Sequence, residues 1–145
     1  MQNFRKITEH FFVAPQISVE DVAAAREAGF DVMIMNRPAG ETPDQPDTQD
    51  IVDAIAAQNM VFLHIPIIAP PEIPDMNATL AALDEFEGKK ILAFCRSGTR
   101  SATLWAYAMA KSSRMEVDDI LKAVEAAGYD LTGHRPRLIA ASSLD

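Results

Sequence analysis

The amino-acid sequence predicts an α/β protein with a central, mainly parallel sheet of about four to five strands, flanked by helices and followed by a helical C-terminal part. Apolar runs of strand length alternate with segments of helical periodicity, which is typical of a parallel sheet covered on both faces. The 145 residues, 48% of them hydrophobic, are enough for one core. No repeat, linker or low-complexity stretch interrupts them, so the sequence predicts a single domain over residues 1–145.

The first half of the chain contains three predicted strands and two predicted helices. Ser18 and Asp21 form a capping-box pattern at the start of the first helix, and Gly29 ends that helix. The predicted strands cover residues 10–14, 31–35 and 61–67, and the predicted helices cover residues 19–28 and 48–58.

The second half begins with a proline-rich loop at 69–75 and places a fourth strand at 91–94, directly before Cys95. Predicted helices cover residues 76–87, 101–111 and 116–127, with a last short helix at 135–140. In parallel sheets, ligands bind at the carboxyl ends of the strands. Cys95, Arg37 and the 69–75 loop are all expected at that edge.

The only cysteine of the chain lies at the turn between the fourth strand and the helix that follows. Unpaired backbone N–H groups and the positive end of a helix dipole both stabilise a thiolate there, as does the nearby guanidinium of Arg100. The same N–H groups can hold an oxyanion. The turn therefore predicts a nucleophile and an anion site in one loop.

A lone cysteine after an apolar run can also be a small core residue. The neighbours favour a reactive loop, because Gly98 suits unusual backbone dihedrals and Arg96 adds positive charge. Hydroxyl groups line the same loop at Ser97, Thr99 and Ser101.

Composition excludes several classes of function. The net charge of −8 disfavours nucleic acid as a partner, and one cysteine excludes an internal disulfide framework. No run approaches the roughly 18 apolar residues of a membrane span, and the first residues lack a signal-peptide core. We therefore expect a cytoplasmic protein with no membrane partner, no metal site and no cofactor.

The whole chain resembles the beta-lactamase hydrolase-like, phosphatase-like family, small bacterial domains found alone or fused to a metallo-beta-lactamase-type hydrolase. The resemblance covers about residues 4 to 141 and rests on Asn36-Arg37-Pro38, His64-Ile65-Pro66, the loop 95–101 and Ala127-Gly128-Tyr129-Asp130. It implies a fold like that of dual-specificity and tyrosine phosphatases, and a hydrolase or persulfide dioxygenase as a possible partner.

Position by position, the resemblance places Cys95 on the phosphatase nucleophile, Gly98 on the loop glycine and Arg100 on the anion-clamping arginine. Ser101 falls on the hydroxyl that stabilises the cysteine as a leaving group. The sequence differs from the phosphatase pattern at three points. Four residues instead of five separate Cys95 from Arg100, Phe94 replaces a common histidine, and residues 67–69 (Ile-Ile-Ala) replace a general-acid aspartate.

The short loop resembles that of rhodaneses, the sulfurtransferases that form a cysteine persulfide. A smaller ring of N–H groups suits a persulfide better than a phosphoryl transition state, and sulfur transfer needs less acid catalysis. The first interpretation is thus a sulfurtransferase that forms a Cys95 persulfide from thiosulfate or a small persulfide. The alternative is a phosphatase that acts on phosphate esters through a Cys95 phosphocysteine. A non-catalytic, anion-binding regulatory module is a third.

For several side chains the sequence leaves two alternative roles open. Arg37 either lines the substrate pocket or pairs with Glu41, and Arg96 either attracts substrate or is merely exposed. Ser101 either bonds the thiolate or caps its own helix. Within strand 61–67, His64 is interpreted as a core histidine rather than a proton shuttle. Glu72 and Asp75 are solvated loop acids or substitute general acids.

Overall fold

A computed structural model describes residues 3–68 and 70–144, which form a five-stranded sheet with helices on both faces. The strands are β1 (Arg5–Lys6), β2 (Phe11–Ala14), β3 (Val32–Met35), β4 (Val61–His64) and β5 (Ile91–Phe94). The helices are α1 (Val19–Glu27), α2 (Thr48–Ala57), α3 (Ile73–Glu85), α4 (Thr99–Lys111), α5 (Val117–Ala126) and α6 (Arg135–Ala141). Residues 1, 2 and 145, at the ends of the predicted domain, and Ala69, the first residue of the predicted loop, lie outside the described part.

The sheet has the order β1-β2-β5-β3-β4, and every pair except β1 with β2 is parallel. The predicted α/β fold with a mainly parallel sheet is confirmed. Because β2, β5, β3 and β4 run in the same direction, their carboxyl ends meet at one edge. This edge carries Cys95 after β5 and Asn36 after β3.

The two central strands owe their position to continuous apolar sequence. All four residues of β3 and all four of β5 are buried. Helix α4 packs against one face of the sheet and is buried from Ser101 to Ala110, so it forms much of the core on that face. None of the described helices is long and apolar enough to cross a membrane.

Two proline residues shift boundaries relative to the sequence prediction. Strand β4 ends at His64 rather than at 67, because Pro66 has no N–H group for the ladder. Helix α3 begins at Ile73 rather than at 76, because Pro74 is tolerated in a first helical turn.

Strand β4 also lies at the edge of the sheet, and His64 is exposed rather than in the core. The core interpretation of this histidine is therefore wrong, although its ring does form a hydrogen bond. The two-residue strand β1 was not predicted, because so short a segment carries no periodic pattern.

Candidate active site

The loop between β5 and α4 begins at Cys95 and ends at Gly98, the residue that caps α4. Gly98 has a φ of 94°, a left-handed conformation that glycine adopts without strain. Its turn lets α4 begin at Thr99, two residues earlier than predicted. Neighbouring strand ends hold the loop, since the Cys95 N–H donates to the Ala14 carbonyl (3.3 Å) and Arg96 accepts from the Gln16 N–H (3.2 Å).

Cys95 lies on the inner side of this loop. The Gly98 N–H donates to Cys95 Sγ at 3.1 Å, as predicted for a thiol that faces loop amides. Cys95 has no exposed surface, so the side chains that cover it must move before a substrate can reach the sulfur. Arg96, Ser97 and Thr99 are exposed and form the outer rim of the loop.

Arg100 joins the loop to two other segments. Its Nη1 donates to Glu41 Oε2 (2.8 Å) and to the Ile67 carbonyl (2.9 Å), and its Nη2 donates to Glu41 Oε1 (2.7 Å). The bonds to Glu41 raise the pKa of Arg100 above its ordinary value, and the nearby thiol of Cys95 contributes in the same direction. The guanidinium is therefore held by the Glu41 carboxylate and by the Ile67 carbonyl.

Glu41 accepts hydrogen bonds from two arginine residues at once. Besides Arg100, Arg37 donates from Nε to Glu41 Oε1 at 3.1 Å. These hydrogen bonds lower the pKa of Glu41 to about 2, and those from Arg100 contribute more than those from Arg37. Glu41 is thus ionised at neutral pH and has no proton to give to a leaving group.

Arg37 is buried, and its guanidinium is held by protein groups. It donates to Gln16 Oε1 (3.1 Å) and to Thr42 Oγ1 (2.9 Å) as well as to Glu41. The His64 Nε2 lies 3.0 Å from the Arg37 carbonyl and must donate, because a carbonyl can only accept. Two roles were predicted for Arg37, and these contacts favour the ion pair with Glu41.

Ser101 lies in the first turn of α4 and is buried. Its Oγ has no hydrogen-bond partner among the described residues. Neither predicted bond is formed in this structure: the helix begins at Thr99 with Gly98 as its cap, and Ser101 Oγ makes no hydrogen bond to the Cys95 sulfur. The hydroxyl therefore remains available to a group that arrives during a reaction.

Tyr129 supports the loop from outside. Its hydroxyl donates to the Ser97 carbonyl in a long bond of 3.4 Å, and its ring packs against Gly98. The Arg5 guanidinium lies 5.2 Å from the centroid of the Tyr129 ring. Sequence reasoning noted Gly128-Tyr129 only as the end of a helix and as part of a motif.

The predicted substitute acids lie beside the loop that follows β4. Asp75 Oδ2 accepts the Glu72 N–H at 3.0 Å and so stabilises the first turn of α3. Glu72 and Asp75 share one cleft with Ile67 and Ile68. This arrangement ties Asp75 to the helix start.

A second cleft, of about 210 Å³, lies next to Arg100. It is lined by Ile67, Ile68, Pro70, Pro71, Arg100, Thr103 and His134. Sequence reasoning gave His134 no role, because a single histidine between Gly133 and Arg135 carries no motif.

Taken together, the sheet and its helices have the fold of dual-specificity phosphatases. Human DUSP28 has the same fold, with a TM-score of 0.69 and 14% identity over 98% of this chain and 94% of that chain. The chain belongs to the family described as "Beta-lactamase hydrolase-like protein, phosphatase-like domain", whose model matches residues 3–112.

Individual relatives agree with this assignment. A beta-lactamase hydrolase-like protein of Agrobacterium fabrum is 32% identical over 127 residues, which are 87% of this chain and 29% of the relative. The relative in Xylella fastidiosa strain Temecula1 is 28% identical over 126 residues, 86% of this chain and 29% of that protein. The chain thus spans less than a third of these curated relatives.

A solved structure from Neisseria meningitidis Z2491, described as a candidate phosphatase, has a TM-score of 0.83. It is 31% identical, over 97% of this chain and 99% of that chain. These likenesses favour the phosphatase alternative and give no support to the sulfurtransferase interpretation.

Proposed function

We propose that this chain is a cysteine-dependent phosphatase that hydrolyses phosphate monoesters through a phosphocysteine on Cys95. One observation carries the proposal: the Gly98 N–H donates to the Cys95 thiol at 3.1 Å, in a loop that leads directly into the helix turn that holds Arg100. The phosphatase-like family and the similarity to the Neisseria protein support it.

The geometry of Arg100 leaves one edge of its guanidinium for a phosphoryl group. A guanidinium has five N–H donors, and Glu41 and Ile67 take three of them, two on Nη1 and one on Nη2. Among the residues that the structure describes, the Nε–H and the second Nη2–H donate to no group, and they lie side by side on the same edge. Two phosphoryl oxygens can bind there in the bidentate manner that arginine favours.

In the first step, the Cys95 thiolate attacks phosphorus, and the bond from phosphorus to the ester oxygen breaks with its electron pair on that oxygen. Loop N–H groups and Arg100 stabilise the charge on the transferred group. In the second step, water attacks phosphorus and Cys95 leaves as a thiolate. In this proposal the hydroxyl of Ser101 donates a hydrogen bond to that thiolate; its burial in the first turn of α4 without a partner among the described residues supports this role.

The nucleophile can be identified by intact-mass measurement after the protein is mixed with p-nitrophenyl phosphate or with thiosulfate. We expect phosphate release and, on rapid acid quench, a mass gain of one phosphoryl group on Cys95. Thiosulfate should leave the mass unchanged. A gain of one sulfur atom together with negligible phosphate release would instead support the sulfurtransferase interpretation and overturn the proposal.

Glu41→Gln should lower kcat/KM for p-nitrophenyl phosphate by about 10- to 100-fold, because the neutral amide holds Arg100 less firmly. The ionised Glu41 should also stabilise the fold by on the order of 2 kcal/mol at neutral pH, discounted for its partial exposure. Since the folded pKa lies below the ordinary 4.5, this stability is present above that pH and is lost as pH falls toward about 2. Urea unfolding at several pH values measures it.

The matched control is Asp44→Asn, which removes a carboxylate from the same loop without a bond to Arg100. Its kcat/KM should stay within about twofold of the wild type, because exposed charges contribute little. If Glu41→Gln and Asp44→Asn behave alike, Glu41 does not position Arg100.

A further inference from the structure

A cleft beside Arg100 offers room for the leaving group of a phosphate ester. It is predominantly apolar, and Arg100 and His134 both line it. A cavity of about 150 Å³ is known to hold benzene, so a cleft of about 210 Å³ has room for an aromatic leaving group. The ester oxygen would then lie near the polar groups of this cleft.

The leaving oxygen needs a proton, and no carboxylic acid lines this cleft among the described residues; Glu72 lines the neighbouring cleft instead. Glu41 is ionised by its two arginine partners, with a pKa of about 2. Asp75 is engaged at the start of α3. Ile67 and Ile68, which follow β4, are apolar.

His134 has the geometry of an oriented proton donor. It ends the short 3₁₀ turn Thr132–His134, and its Nδ1 lies 2.9 Å from the Tyr107 hydroxyl. The two rings meet edge to face, with their centroids 5.7 Å apart. Among residues 3–68 and 70–144, Nε2 has no hydrogen-bond partner, while the ring lines the cleft.

We propose that His134 donates the proton to the leaving-group oxygen, a role that rests on the proposed phosphatase function. As the S–P bond forms and the P–O bond breaks, the electron pair of the P–O bond stays on oxygen. The Nε2 proton of the imidazolium passes to that oxygen and the ring becomes neutral. Tyr107 keeps the ring oriented by accepting from Nδ1–H before transfer.

The surroundings of His134 set the pH range in which this donor works. Burial lowers the pKa of His134 below its ordinary value, and Arg137 acts in the same direction. Helix α4 contributes Arg100 and Tyr107 to these surroundings, and Cys95 acts on Arg100 from the loop before that helix. Helix α6 contributes Arg135 and Arg137, and Arg135 pairs with Asp118 of α5. The negative phosphate of a bound substrate opposes these arginine charges and favours the imidazolium. Because the imidazolium is the donor, kcat for a poor leaving group should fall as pH rises through the pKa of His134.

The test compares two substrates that differ in their need for an acid, phenyl phosphate and p-nitrophenyl phosphate. His134→Gln keeps a hydrogen-bonding side chain but cannot supply an acidic proton. We expect a loss of at least about 100-fold in kcat with phenyl phosphate, and a much smaller loss, below about fivefold, with p-nitrophenyl phosphate. The fall of kcat with rising pH on phenyl phosphate should also disappear.

Two further variants serve as a matched control and as a second test of the role of His134. His10→Gln is the matched control, because His10 is exposed and lies before β2 at the opposite edge of the sheet, and it should leave both rates unchanged. Tyr107→Phe keeps the aromatic packing and removes only the hydroxyl at Nδ1. It should cause a smaller loss with the same preference for phenyl phosphate, and it provides the test if His134→Gln does not fold.

Equal losses on both substrates, or no loss on either, would overturn the assignment of His134 while the phosphatase function stands. Failure of the wild type to release phosphate from p-nitrophenyl phosphate would overturn the proposed function itself and the role of His134 with it.

Discussion

Replacement of Cys95 by serine is expected to lower phosphate release from p-nitrophenyl phosphate by at least about a thousandfold. The Gly98 N–H donates to the Cys95 sulfur, and a serine hydroxyl in the same position is a much weaker nucleophile than sulfur. Loss of a catalytic nucleophile has costs of this order or greater in other enzymes. Steady-state rates and intact mass after acid quench measure the effect, and the phosphoryl adduct should vanish.

Ser97→Ala is the matched control for this experiment, because it removes an exposed hydroxyl from the same loop. Its rate should stay within a fewfold of the wild type, and thermal denaturation should show both variants folded. Residual activity of Cys95→Ser close to that of the wild type would mean that another group attacks phosphorus.

Gly98→Ala should destabilise the fold by about 3 kcal/mol and remove most of the activity. Gly98 has a φ of 94°, which strains any residue with a Cβ. An added Cβ would also collide with the Tyr129 hydroxyl and approach its Cζ to 2.9 Å, so the ring or the loop must shift. Urea unfolding gives the loss in stability, and the kcat of the folded fraction gives the effect on the loop.

Gly29→Ala separates the two causes. Gly29 has a nearly identical φ of 93° but no atom within 4 Å of an added Cβ, so it should cost only about 1 kcal/mol and leave activity unchanged. The double variant Gly98→Ala/Tyr129→Ala should recover part of the difference. Equal costs at Gly98 and Gly29 would show that the contact with Tyr129 is unimportant.

The fold could be predicted largely from local patterns. Apolar runs such as the one in β5 identify buried strands, and Ser18 with Asp21 marks a helix start that the structure forms with both capping-box bonds. Cys95, Gly98 and Arg100 could be singled out because their chemistry lies within six consecutive residues. The predicted end of β4 and the predicted start of α3 were wrong, because Pro66 cannot donate to a strand ladder whereas Pro74 is tolerated in a first helical turn.

The choice of reaction could not be predicted as well. The spacing of four residues between Cys95 and Arg100 led to a preference for sulfur transfer, yet the family and the similar structures favour the phosphatase alternative. Loop length describes the size of the anion cradle only. The chemistry also depends on the groups that surround the loop and come from distant parts of the chain.

The sequence by itself determined the alternation of strands and helices and the place of a cysteine at a strand-to-helix turn, because periodicity and capping act between neighbouring residues. Only the tertiary structure decided that Glu41 holds Arg100 across 59 positions, that Tyr129 backs Gly98, and that His134 meets the same cleft as Arg100. These contacts join segments that the parallel sheet and the packing of α6 on α4 bring together. Such distant pairings leave no local pattern in one sequence, since either partner alone looks like an ordinary surface or loop residue.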